Sequence, residues 1–185
     1  MNIQAFFEQS AGKWLSQRTS HQLLQNQSES AKTELMMTLL EKSDPIVGQL
    51  CQQSGLDPAQ AVSGLKITWS SVIDRNPKTQ TGSSILVVVS EPDQPNQGHL
   101  ISQQSGQSTV GRYSLGADEV LTLITETPEL YAEERLWFAS PNFRMRTSIV
   151  KRSGGFELAA FCTEIRLGVT AKPAESAPTE AQQSV

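Results

Sequence analysis

The feature that most constrains this chain is the recurrence of short β-forming segments, each closed by residues that a turn requires. The segments occupy 13–23, 30–41, 61–74, 84–90, 98–104, 108–114, 119–126, 130–139, 143–152 and 156–166. They are rich in β-branched and aromatic residues or alternate in polarity, the mark of a pleated, half-buried strand. Between them lie Asn76-Pro77, Glu91-Pro92-Asp93, Ser105-Gly106, Gly116-Ala117-Asp118, Pro141-Asn142 and Ser153-Gly154-Gly155, which supply backbone geometries that strands lack. Connectors this short join antiparallel neighbours, because parallel strands need a long crossover. A sheet of roughly ten strands curls closed or splits into two layers. Closure removes the edges that would pair with other chains. The expected fold is all-β: an up-and-down antiparallel β-barrel of about ten strands, wide enough to hold a small molecule.

Two short helices accompany the strands. Ile3, Phe6 and Phe7 recur at i, i+3, i+4, and Gly12 can end that segment. The second runs over 44–54, with Asp44 as its cap, Pro45 at its first position and Gly55 beyond its end. Both are too short to be stable alone and need a surface; one suits the end of the barrel. After about 167 the chain is Ala, Pro, Glu, Gln, Ser and Thr without apolar period, so burial cannot offset its ordering entropy. The expected division is a folded domain at 1–168 and a disordered tail at 169–185.

Composition removes several functions. Fifteen basic against 19 acidic residues leave a net charge of −4, which opposes non-specific nucleic-acid binding. The longest apolar run, 85–89, is far below the roughly 20 residues of a spanning helix. Residues 1–12 lack the basic and apolar blocks of a secretory signal. Cys51 and Cys162 are far apart, which indicates neither a disulfide framework nor a zinc site. A reducing cytoplasm is the expected compartment, and no metal site is expected.

The two-residue period of a strand sorts the polar residues near the C-terminus by face. Arg144, Arg146 and Ser148 share one face, and so do Cys162, Glu164 and Arg166 on the next strand. The turn at 153–155 makes these strands a hairpin. Glu134 shares a face with Leu136 and Phe138, and Trp14 with Arg18. Two readings stand. The patch is a solvated outer face of weak ion pairs, or an inward anion site whose guanidinium forks grip carboxylates. Period alone does not choose between them. Trp69 and Trp137 suit stacking or core packing. His21 and His99 show no ligand spacing, Cys162 has no partner fixed by spacing, and Gly154-Gly155 precedes no helix that would make it a phosphate loop.

Several blocks resemble the S/U-type phycobiliprotein lyases. They are Phe6-Phe7 with Ser10, Gly12 and Trp14; Ser16-Gln17-Arg18-Thr19-Ser20-His21; the Gly64 to Trp69 strand; the long block Glu133 to Ser148; and Phe161-Cys162-Thr163-Glu164-Ile165-Arg166. After His21 stands Gln22, where many members carry a second histidine. The resemblance implies a calycin or lipocalin-like barrel that binds an open-chain tetrapyrrole, phycocyanobilin, as substrate, with no prosthetic group. It implies transfer of that bilin to a cysteine of apo-phycobiliprotein subunits of the phycocyanin or allophycocyanin type, forming a thioether. It turns the arginine face inward. By matching motif, Arg144 and Arg146, helped by Arg18 or Arg166, would hold the propionates; Ser148 would join them. Glu164 and Glu134 would accept from pyrrole N–H groups, and Trp69 would limit the bilin's twist. The acceptor supplies the thiol, so Cys51 and Cys162 are expected to be dispensable. A monomer, a homodimer or a pairing with a related lyase subunit would each serve. The rival readings are a cytosolic lipocalin-like carrier of a bilin or fatty acid without transfer activity, and a packed barrel whose patch faces another protein.

Overall fold

The computed structural model describes residues 1–74 and 76–168; the expected tail at 169–185 lies outside the described residues. Ten antiparallel strands form one closed barrel: β1 (Gly12–Gln22), β2 (Gln27–Leu40), β3 (Ala61–Ile73), β4 (Asn76–Glu91), β5 (Gln94–Gln104), β6 (Gln107–Leu115), β7 (Leu121–Glu126), β8 (Leu130–Ser140), β9 (Phe143–Arg152) and β10 (Gly155–Arg166). Each pairs with its sequence neighbours, and β1 pairs with β10 to close the ring. The tight turns sit where the sequence places them. Ser105 and Gly106, at φ 50° and 79°, join β5 to β6, both in the left-handed region that two-residue hairpins favour.

Several strands start at other residues than the sequence reading gives: β2 at Gln27 rather than 30 and β5 at Gln94 rather than 98, and two more starts have a clear physical reason. β4 starts at Asn76 rather than 84, because its polar first half pairs with β3 from Asn76 to Gly82. Backbone pairing there carries no hydrophobic signal. β7 starts at Leu121 rather than 119, because Glu119 adopts φ 61° in a loop closed by the Gly116 amide donating to the Val120 carbonyl.

Helix α1 (Ile3–Ser10) closes one end of the barrel. Asn2 caps it by accepting from the Ala5 amide at 2.8 Å. Its buried face, Ile3, Phe6 and Phe7, joins a cluster with Trp14, Leu35, Leu65, Leu100, Tyr113, Leu121 and Leu136. Those residues come from seven strands around the ring, so the helix lies across its end. Helix α2 (Pro45–Gln53) lies outside. Asp44 accepts from the Ile46 amide, and Val47, Leu50 and Cys51 pack on Val87, Val89 and Ile101. Val88 meanwhile joins the interior cluster. The unbroken apolar run at 85–89 is thus explained: this stretch of β4 is buried on both faces, the interior on one side and α2 on the other. Each of these fully buried aliphatic side chains contributes roughly 1.5–3 kcal/mol. No helix among the described residues is long and apolar enough to cross a membrane.

Candidate functional site

The open end of the barrel carries one charged wall, built by β8, β9, β10 and β1. Cross-strand register arranges it in rows. Nearest the mouth, Ser20, Ala160, Ser148 and Glu134 are aligned; below them come Arg18, Cys162, Arg146 and Leu136; deeper still lie Ser16, Glu164, Arg144 and Phe138. Trp14 pairs with Arg166 beneath those, beside α1. The charged patch therefore faces inward, and the solvated-face reading is excluded. Side-chain exposure falls with depth, from 39% at Arg18 and Glu134 to 26% at Arg146, 4% at Arg144 and 0% at Glu164.

The wall borders a mouth chamber of about 270 Å³, faced by Leu86, Leu100, Ser102, Leu123 and Thr125. A smaller void of about 90 Å³ lies beneath, and Leu86, Leu123, Glu134 and Arg146 border both. At this boundary Arg146 Nη1 donates to Glu134 Oε1 at 3.3 Å, which also accepts from Ser148 Oγ at 3.1 Å. Arg146 Nη2 reaches Cys162 Sγ at 3.6 Å and lies 3.4 Å from Glu164 Oε1. Two strands from Arg146, on β1, Arg18 makes one long contact, 3.4 Å to Glu29. The Nε atoms of Arg18 and Arg146 are both buried without a hydrogen-bond partner.

Below the chamber the arginines are engaged. Arg144 Nε donates to Glu164 Oε2 at 2.6 Å, its Nη1 donates to Ser10 Oγ at 3.0 Å, and its guanidinium lies 5.2 Å from the Trp14 ring centre. Glu164 also accepts from Ser16 Oγ at 3.3 Å. Burial alone would raise the Glu164 carboxyl, but Arg144 and Arg146 outweigh it and hold the group below its ordinary range. For Arg146, burial opposes the charge, yet Glu134 and Glu164 raise it above the usual arginine value. Burial pushes the Cys162 thiol up against the pull of Arg146, so it stays protonated at neutral pH.

Four expected site residues, Arg166, Arg144, Trp69 and Glu164, lie outside the mouth chamber. Arg166 donates to the Ala11 and Gln9 carbonyls at the C-terminal end of α1 and stacks 4.3 Å from Trp14, a cation capping the negative end of a helix. Arg144 has its donors turned to Glu164, Ser10 and Met37, so it does not offer a free fork to a ligand. Trp69 points inward on β3, but over Gly82, where any Cβ would clash with the indole; it borders neither chamber. Glu164, at 0% exposure beneath Arg146, is shielded from a ligand in the mouth. Trp137 faces out with Met145 and Thr163. Among the described residues no three His, Cys, Asp or Glu side chains form a metal-sized group. Sequence reasoning missed Ser16, which the two-residue period places on the Trp14–Arg18 face, and Ser10, a helix residue with no such signal.

A closed barrel with one plugged end and a chamber lined by arginines and carboxylates at the other defines a small barrel of the lipocalin-like class. The CpeS-like protein family model matches residues 2–167. A "Chromophore lyase CpcS/CpeS" from Thermosynechococcus vestitus is 49% identical, over 95% of this chain and 98% of the relative. The "Phycocyanobilin lyase subunit CpcS" of a Picosynechococcus strain is 36% identical, over 88% of this chain and 84% of its own. The solved S-type phycobiliprotein lyase CPES from Guillardia theta superposes with a TM-score of 0.81 at 30% identity, over 92% of this chain and 95% of that one. The chain belongs to the CpeS-like family and is a chromophore lyase.

Proposed function

We propose that this lyase seats phycocyanobilin at the barrel mouth and delivers it to a cysteine of an apo-phycobiliprotein subunit of the phycocyanin or allophycocyanin type. The observation that carries this reading is the pair of buried, unpartnered Nε donors on Arg18 and Arg146. An unsatisfied buried donor costs about 1–3 kcal/mol, and a carboxylate removes that cost with a charge-assisted bond. The two arginines flank Cys162 in one row, two strand spacings or roughly 10 Å apart along the wall. That spacing suits a ligand with two carboxylate arms, as a bilin has.

The chamber of about 270 Å³ is at the lower edge of ligand pockets, roughly 300–1,000 Å³. The carboxylate-bearing middle of the bilin therefore enters, and ring A projects from the mouth. Glu134, with Ser148 beside it, accepts from pyrrole N–H groups and favours the protonated, cationic bilin. Cationic conjugation makes the ring-A ethylidene a better electrophile. The acceptor's thiolate sulfur bonds to the ethylidene carbon, the double-bond electron pair shifts to the adjacent ring carbon, and a proton ends there. The elements of S–H are added and no oxidant is required. The lyase contributes positioning, and the reducing cytoplasm keeps the acceptor thiol free.

The test mixes the protein, phycocyanobilin and separate apo-subunits, then examines a denaturing gel for bilin fluorescence on the subunit. A covalent adduct at one cysteine, accelerated by the protein, is the expected result. Bilin binding without any adduct would make the protein a carrier. An unchanged bilin spectrum with the Arg146→Glu variant would move the site out of the mouth.

A further inference from the structure

We propose that Arg144 is a positioning residue: from beneath the chamber it anchors Glu164, and through Glu164 it fixes the guanidinium of Arg146 toward the ligand carboxylate. This rests on the bilin reading of the mouth and assigns a role there to a group that touches no ligand.

The geometry is a buried chain of contacts. Ser10 Oγ, itself donating to the Phe6 carbonyl at 2.8 Å, accepts from Arg144. Trp14 Nε1 donates to the Ser10 carbonyl at 2.9 Å, so the last turn of α1 is held from both sides. Arg144 is gripped between that turn, the Trp14 and Phe138 rings and the Met37 sulfur. It meets Glu164 Oε2, while Glu164 Oε1 faces Ser16 and Arg146. One fully buried carboxylate thus serves two arginines, one locked to the closed end and one at the floor of the open chamber. Without Glu164, Arg146 keeps only Glu134 and the weak Cys162 sulfur contact, both at the chamber boundary, and a half-paired arginine samples more rotamers.

The charged and titratable groups around Glu164 come from every packed element: Arg144 and Arg146 on β9, Glu134 on β8, Cys162 on its own strand, and Arg18 one strand away on β1. Arg144 and Arg146 are the cations that favour its ionised form, with a 2.6 Å contact from Arg144. Once Arg144 is weakened, burial dominates and Glu164 takes up a proton as pH falls. Arg146 is then released, and ligand affinity becomes pH-dependent.

The experiment measures phycocyanobilin affinity and absorption maximum from pH 5.5 to 8.5 for four proteins: wild type, Arg144→Lys, Arg144→Gln, and the double variant Arg144→Gln/Glu164→Gln. Wild type is expected to be flat. Arg144→Lys keeps a charge but loses the fork; it should bind about 3–10-fold more weakly and lose affinity further toward acid. The double variant lacks the buried carboxylate whose protonation releases Arg146, and should be flat and about tenfold weaker. A ligand-free readout, the pH series of the Arg146 Nε–H resonance, should stay sharp throughout in wild type and broaden toward acid in Arg144→Lys. If Arg144→Gln does not fold, Arg144→Lys carries the comparison alone. Wild-type affinity and a flat profile for Arg144→Lys would overturn the proposal, as would acid sensitivity that persists in the double variant. If wild type gives no bilin spectrum while the Arg146 resonance behaves as described, the bilin reading fails and the positioning role stands.

Discussion

Arg144 and Arg146 stand two residues apart on β9 and share a face, yet they belong to opposite regions of the barrel. Arg144 lies in the closed end, among aromatic rings and α1, with 4% of its side chain exposed. Arg146 borders the open chamber with a buried Nε that nothing satisfies. The closed end uses its charges to complete a packed structure. The open end leaves a donor unmet at the wall of the chamber. One strand therefore carries a sealed arginine and a chamber-lining arginine one pleat apart, and depth in the barrel separates their surroundings.

Substitutions should separate the regions. The largest effect belongs to the closed end: Arg144→Gln removes one partner of a buried ion pair and should cost roughly 3–5 kcal/mol in denaturant unfolding. The double change with Glu164→Gln should recover much of that loss. Phe6→Ala, in the plug, should cost about 3–5 kcal/mol through transfer and cavity terms. At the open end the sign of the comparison reverses. Arg146→Gln should weaken bilin binding by tenfold or more while shifting stability by only about 1 kcal/mol, measured by spectral titration beside the unfolding curve. An equal stability loss at both arginines would erase the division.

Acid should act on the closed end. Glu164 is held below the ordinary carboxylate range, so its stabilising contribution is complete above about pH 4.3 and fades as pH falls through the lower folded value. Acid unfolding midpoints of wild type and the double variant check this, and the double variant should lack that component. Alkali reaches another buried group. Burial, with the charge of Glu91, pushes the Tyr113 phenol up to about 12. Its contribution is complete below about pH 10 and is lost as pH rises toward the folded value; Tyr113→Phe should remove that loss. The smallest effect is expected from Cys51→Ser with Cys162→Ser, which should leave the rate of bilin transfer unchanged in the adduct assay.

Much of the architecture was legible along the chain. The strand segments, the Ser105-Gly106 turn, the cap at Asp44 and the Ile3–Phe6–Phe7 stripe rest on local geometry, and local geometry is written in short windows of sequence. The polar start of β4 escaped because backbone pairing with β3 creates it, without an apolar signal. At the site, period 2 grouped Arg144, Arg146 and Ser148 correctly and Glu164 with Cys162, since a pleat assigns faces automatically. Depth was illegible. Arg166, Arg144 and Glu164 look equivalent to Arg146 in the pattern, and only the packing at the closed end, where α1 and Trp14 engage the two arginines and Arg144 holds Glu164, sets them apart from it.

By itself the sequence determined the strands, their antiparallel order and which side chains share a face, because each follows from torsion preferences and a two-residue repeat. Closure of the ring decided that the charged face is the inner one, and the docking of α1 decided which of its charges are sealed and which border the chamber. Both depend on contacts between residues more than a hundred positions apart, such as Ser10 with Arg144, and burial of a charge is a property of everything packed around it rather than of its neighbours in the chain.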